Sequence, residues 1–156
     1  MTTRAGRQGG EGAGELPFPA LFTQAKDVMV AHLHQRLGEE GFEGIRFTHG
    51  SVFRFIDADG SRLTVLAERS GLSKQALGEV VSELERHGYV ERTADPADHR
   101  AKIIRLTGRG MEAQLAAARI LGDIEQRWAR RLGQDRIAAM RTLLEELVRF
   151  EQGQDT

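Results

Sequence analysis

Residues Arg62–Gly110 read RLTVLAERSGLSKQALGEVVSELERHGYVERTADPADHRAKIIRLTGRG, and the order of local signals within them decides the fold. Thr64–Ser70 predicts a helix of two turns at most, closed by Gly71. Ser73 then stands where a helix N-cap belongs, and Leu77, Val80, Val81 and Leu84 recur at helical spacing in a segment that runs to His87. After Gly88 the pattern turns extended. Tyr89–Thr93 and Arg100–Leu106 flank a polar tip, Ala94–His99, that contains Pro96. Two short helices joined by a glycine turn and followed by a hairpin form a winged helix-turn-helix pattern.

Upstream, Pro17–Gly38 places Leu21, Phe22, Ala25, Val28, Met29, His32 and Leu33 at helical spacing, with prolines at its start and a glycine at its end. Thr48 is expected to cap a short helix carrying Val52, Phe53 and Ile56, which Asp57–Gly60 ends. Downstream, Thr107 caps a long helix with Met111, Leu115, Ala118, Leu121, Ile124 and Trp128 about once per turn, and Gly133 breaks it. A last helix carries Ile137, Met140, Leu143, Leu144, Leu147 and Phe150. The predicted fold is mainly α with a small β-hairpin wing (α+β). Residues 1–16, with five glycines, read as a flexible tail, and 17–156 as one domain. Within it the winged lobe spans about 48–107, and the helices at about 17–38 and 108–152 are left with more apolar surface than that lobe covers. They are expected to bury one another across a twofold axis, making a homodimer.

The totals are those of a globular protein: 156 residues, 40% hydrophobic, 29% charged, formal net charge −1. The absence of cysteine excludes disulfide scaffolds, thiolate metal sites, cysteine nucleophiles and thiol redox sensing. No apolar run approaches membrane-spanning length and the amino terminus has no secretory core, so no membrane partner and a cytoplasmic location are expected. Charge is unevenly spread. Arg69–Arg109 holds eight Lys or Arg against six acids, mildly basic where the whole chain is not.

On the helix Ser73–His87, Gln75, Gly78, Glu79 and Ser82 lie opposite the apolar face. If that helix enters a major groove, these four, with Ser73 and Lys74 at its amino end, meet bases and phosphates. Gln75 pairs bidentately with adenine; Lys74 and the capped end suit a phosphate. Gly78 is either a tolerated surface glycine or a sign of close approach to a duplex, since a mid-helix glycine costs about 1 kcal/mol relative to alanine. Glu79 either accepts from cytosine N4 or stays solvated. At the hairpin tip, Asp98 stands two residues before Arg100, where it is either an ordinary surface ion partner or a brace for a guanidinium entering a narrow minor groove. Lys102 adds a cation beside them.

The run Arg62–Gly110 resembles the winged helix-turn-helix of the multiple antibiotic resistance regulator (MarR) family, most specifically in LERHGYVER (84–92) and DPADHRAKIIRLT (95–107). Asp98-x-Arg100 matches the family's Asp-x-Arg element. The resemblance implies a homodimer that binds palindromic double-stranded DNA operators and is released by a small ligand. It puts Ser73–His87 in the major groove, Arg100 in the minor groove, and the first and last helices at the dimer interface. Gly78 and Glu79 depart from the threonine and arginine many members carry there, which implies a different operator or modest affinity.

No nucleophile elbow, Walker loop or zinc-protease motif is present, so an enzyme is not expected, nor a cofactor. His32 and His34 fall on different helix faces and the other histidines are scattered, so no metal site is expected either. The resemblance places an effector site near the first two helices. There Arg46, His49 and Phe53 offer a cation, a donor and an aromatic wall for a small aromatic or anionic ligand, or are simply helix-junction residues. The function expected is a sequence-specific transcriptional regulator, a repressor released by such a ligand. The rival is a winged-helix protein-protein interaction module without its own operator.

Overall fold

The structure, a computed structural model, describes residues 15–153; most of the tail expected at 1–16 lies outside them. Helix α1 (Phe18–Glu39) starts after Pro17, and a single 3-10 turn at Phe47–His49 leads into α2 (Gly50–Phe55). Strand β1 (Ser61–Arg62) precedes α3 (Leu63–Ser70) and α4 (Lys74–Arg86). The hairpin β2 (Val90–Ala94) and β3 (Lys102–Leu106) follows, then α5 (Gly108–Leu132) and α6 (Gln134–Glu151).

The expected caps form at two of the three sites. Ser73 Oγ accepts from the Ala76 amide at 3.1 Å, and Thr107 Oγ1 accepts from the Gly110 amide at 3.1 Å. Thr48 does not cap: it lies inside the 3-10 turn, and its carbonyl accepts from Ser51 Oγ at 2.8 Å. Gly71 takes a left-handed conformation (φ 70°), which closes α3 and redirects the chain into α4 at no steric cost.

The hairpin carries one strand more than the sequence pattern shows. β1 pairs antiparallel with β3, Ser61 opposite Ile104, giving the order β1-β3-β2. A two-residue strand is too short to show alternation, and what holds it is the partner strand.

Val52, Leu66, Leu77, Val81, Leu84, Tyr89, Val90 and Ile104 form a buried core joining the helix-turn-helix to the sheet. Truncating one of its leucines to alanine costs about 2–5 kcal/mol. A second cluster, Leu37, Ala116, Ile120 and Ile124, joins α1 to α5, and Phe42 and Ile45 pack against both. α6 packs on α5 yet has no buried residue. Its apolar stripe, Met140, Leu143, Leu144, Leu147 and Phe150, is exposed, as are Phe18, Leu21 and Phe22 on α1.

Candidate nucleic-acid interface

Helix α4 turns its apolar residues Leu77, Val80, Val81 and Leu84 into the core, which leaves Ser73, Lys74, Gln75 and Glu79 exposed. Among the described residues the side chains of Lys74, Gln75 and Glu79 make no hydrogen bond or ion pair within the chain. Their polar groups are free for an external partner. Ser82 is different. Its hydroxyl donates to the Gly78 carbonyl at 2.9 Å and accepts from Arg92 at 3.1 Å, while Arg92 also pairs with Glu85. A methyl group at Gly78 would meet only Leu63 Cδ2, at 3.9 Å, so no neighbour inside the protein demands a glycine there.

At the wing tip the sequence singled out Asp98, and the structure corrects its role. Asp98 Oδ1 accepts from the backbone N–H of Arg100 at 3.1 Å, and its carbonyl accepts from Ala101 at 2.8 Å. Asp98 thus shapes the turn and makes no ion pair with the Arg100 guanidinium, because a carboxylate two residues back reaches the amide first. Arg100 and Lys102 project exposed.

The carboxylate that does hold a guanidinium is Asp95. Its Oδ2 accepts from Arg62 Nε at 2.6 Å and its Oδ1 from the Ala97 amide at 2.8 Å. The Ala97 amide foremost, and then Arg62, keep its carboxyl below the usual aspartate range. Sequence reasoning missed both residues. Asp95-Pro96 at the end of a strand is a turn signal in the sequence, but the partner, Arg62, sits on a strand too short to notice.

Arg46, His49 and Phe53, expected around a ligand, are committed within the protein. His49 is fully buried; its Nδ1 accepts from the Arg46 amide at 3.0 Å and its Nε2 lies 2.8 Å from Glu83 Oε2. Arg46 pairs with the same carboxylate. Hydrogen bonds from Arg46 first and His49 second lower the Glu83 carboxyl to about 2. Phe53 packs edge-on against Tyr89, ring centroids 6.2 Å apart. A cavity of about 270 Å³ opens elsewhere, between α1 and α5, lined by His32, Arg36, Asp123 and Arg127 among others. Among the described residues no three His, Cys, Asp or Glu side chains are grouped to hold a metal ion.

The family model described as MarR family matches residues 43–101. HosA, a transcriptional regulator of Escherichia coli O111:H-, is 39% identical over 74 residues, 47% of this chain and 54% of HosA, so the chain spans about half the length of that relative. YdcH of Bacillus subtilis (strain 168), an uncharacterized HTH-type transcriptional regulator, is 30% identical over 108 residues, 68% of this chain and 74% of YdcH. Among solved structures, CouR, a transcriptional repressor of Rhodococcus jostii RHA1 bound to a 23-mer DNA duplex, superimposes with a TM-score of 0.69 at 25% identity. That likeness covers 86% of this chain and 94% of CouR.

Proposed function

The chain belongs to the MarR family, and from that premise we propose that it is a transcriptional regulator that binds a palindromic double-stranded operator as a homodimer. The observation that carries this reading is the outward row Lys74, Gln75 and Glu79 on a capped, tightly packed helix, set beside a wing tip that projects Arg100 and Lys102. Gln75 has the donor and acceptor to read adenine, and Arg100 the charge for a narrow minor groove. Ser73 and Lys74 face phosphate, Gly78 leaves room for the duplex, and Ser82 contributes through the position it gives Arg92. Residues 48–107 form the reading lobe, and the helices at 17–38 and 108–152 bring two such lobes to successive turns of the duplex.

Repression by occupancy of the operator, relieved by a small ligand, is the mode of action we favour, in the cytoplasm and with no catalytic step. No helix among the described residues is long and apolar enough to cross a membrane. Selection of bound sequences from random duplexes tests the proposal. A palindrome with half-sites about one helical turn apart is expected, and recovery of no preferred sequence would leave the protein-contact alternative in its place.

A further inference from the structure

A groove-entering helix works against phosphate repulsion, so the placement of its own carboxylates matters. α4 carries three of them, Glu79 and Glu83 one turn apart and Glu85, which pairs with Arg92. Glu79 is exposed and unpaired, whereas Glu83 is partly buried and paired with two residues that precede α2. Arg46 supplies the cation. His49 supplies direction.

The direction follows from the hydrogen-bond pattern. The Arg46 amide donates to His49 Nδ1 at 3.0 Å, so that nitrogen carries no proton; the ring proton is therefore on Nε2, which donates to Glu83 Oε2 at 2.8 Å. Because His49 is fully buried and both its ring nitrogens are engaged, the imidazole has one orientation, and it fixes where the Glu83 carboxylate lies. Arg46 then closes on that carboxylate from the exposed side.

We infer that Arg46 and His49 are positioning residues for DNA binding: they hold the Glu83 carboxylate against the reading lobe and cancel its charge, so that, with Glu85 paired to Arg92, Glu79 is the one α4 carboxylate left uncompensated before the duplex. The inference rests on the DNA-binding reading above. It assigns Arg46, which the sequence marks as a ligand contact, to the recognition helix, and it needs no contact between Arg46 and DNA.

The test is a two-residue cycle read as operator affinity against salt, with melting temperature measured in parallel. Arg46→Gln leaves Glu83 uncompensated and should weaken operator binding about fivefold to tenfold at low salt, the scale of one unit charge a few ångströms from phosphate in a partly aqueous medium. Its salt slope should change by clearly less than one, because no phosphate contact is lost. Adding Glu83→Gln removes the uncompensated charge, so the double variant should recover most of the affinity and the original slope. Arg46→Lys, which keeps the charge, should stay near wild type.

If Arg46 instead touched a phosphate itself, Glu83→Gln would not rescue Arg46→Gln, and that result overturns the inference while leaving DNA binding intact. Equal affinity of Arg46→Gln and wild type at every salt overturns it as well. A wild-type chain that binds no duplex sinks the DNA-binding reading, and the inference with it.

Discussion

Arg62 Nε donates to Asp95 Oδ2 across 2.6 Å, so the first strand is tied to the wing tip by a side chain as well as by the backbone ladder with β3. Because Asp95 also caps the turn through the Ala97 amide, one carboxylate sets both the course of the hairpin and its attachment to the lobe. Asp95→Ala should therefore reduce operator affinity several-fold together with the melting temperature, whereas Arg100→Ala should reduce affinity alone. Parallel binding and thermal-melting measurements separate the two. An Asp95→Ala protein that melts and binds like wild type would mean the brace is ornamental.

Two glycines make opposite predictions. A methyl group at Gly110 would stand 2.0 Å from the Tyr89 carbonyl oxygen and 3.3 Å from Leu106 Cδ2, so the start of α5 must move or the sheet must. Gly110→Ala should destabilise by about 1–3 kcal/mol, the usual scale of overpacking. Gly78→Ala meets nothing closer than Leu63 Cδ2 and should stabilise by about 0.5–1 kcal/mol through helix propensity. If α4 approaches a duplex closely, that same variant should bind the operator less tightly. Urea unfolding and a binding titration on both variants decide whether stability and affinity move in opposite directions at residue 78.

The acid limb of stability should depend on Glu83. A carboxyl depressed to about 2 in the folded protein takes up its proton more readily once unfolded, so its stabilising effect is complete above about pH 4.5 and is lost as the pH falls toward about 2. Asp95, through the Ala97 amide and Arg62, and Asp57, through Arg69 and Ser61, are lowered too and act with the same sign. Glu83→Gln should flatten the decline in melting temperature across that window. An unchanged decline would show that the carboxylate gains nothing from its partners.

The stripe on α6 predicts the oligomer. Leu143 is 59% exposed and Leu147 51%, in a helix that buries none of its residues within the protomer. Covering the exposed half of each leucine gains about 1 kcal/mol, so a second copy is the natural cover. Leu143→Glu with Leu147→Glu should yield monomers in sedimentation that keep the fold of the winged lobe but lose operator binding. A double variant that stays dimeric would place the interface elsewhere.

Most of the fold was legible because it rests on local chemistry: Ser73 and Thr107 as caps, Gly71 as a turn, and the apolar period of α4 and α5 each appear within a few residues of sequence. What escaped depends on partners distant in the chain. β1 exists only through Ile103 and Ile104, and Arg62 meets Asp95 across 33 positions. Glu83 reaches His49 across 34, and nothing in the neighbourhood of Arg46 and His49 distinguishes a ligand contact from a tie to α4. For the same reason Asp98-x-Arg100 invited an ion pair that the nearer amide of Arg100 pre-empts.

Gln75 and Arg100 should fail differently when removed, since they serve different grooves. Gln75 is exposed near the amino end of α4 with its amide unpaired, so Gln75→Ala should cost about 1–3 kcal/mol on the preferred site and relax selectivity at one base pair. Its salt slope should hardly change, because no charge is lost. Arg100 is exposed at the wing, where a narrow minor groove concentrates negative potential. Arg100→Ala should weaken binding across sequences and lower the salt slope by about one. Preference should shift chiefly at A/T-rich flanks. Asp98 holds the backbone at Arg100 rather than the guanidinium, so Asp98→Ala should loosen the tip and give a milder defect that keeps the full slope. Affinity measured against salt for the three variants separates these roles: wild-type binding by Arg100→Ala at every salt would remove the wing from the interface and leave α4 as the reader.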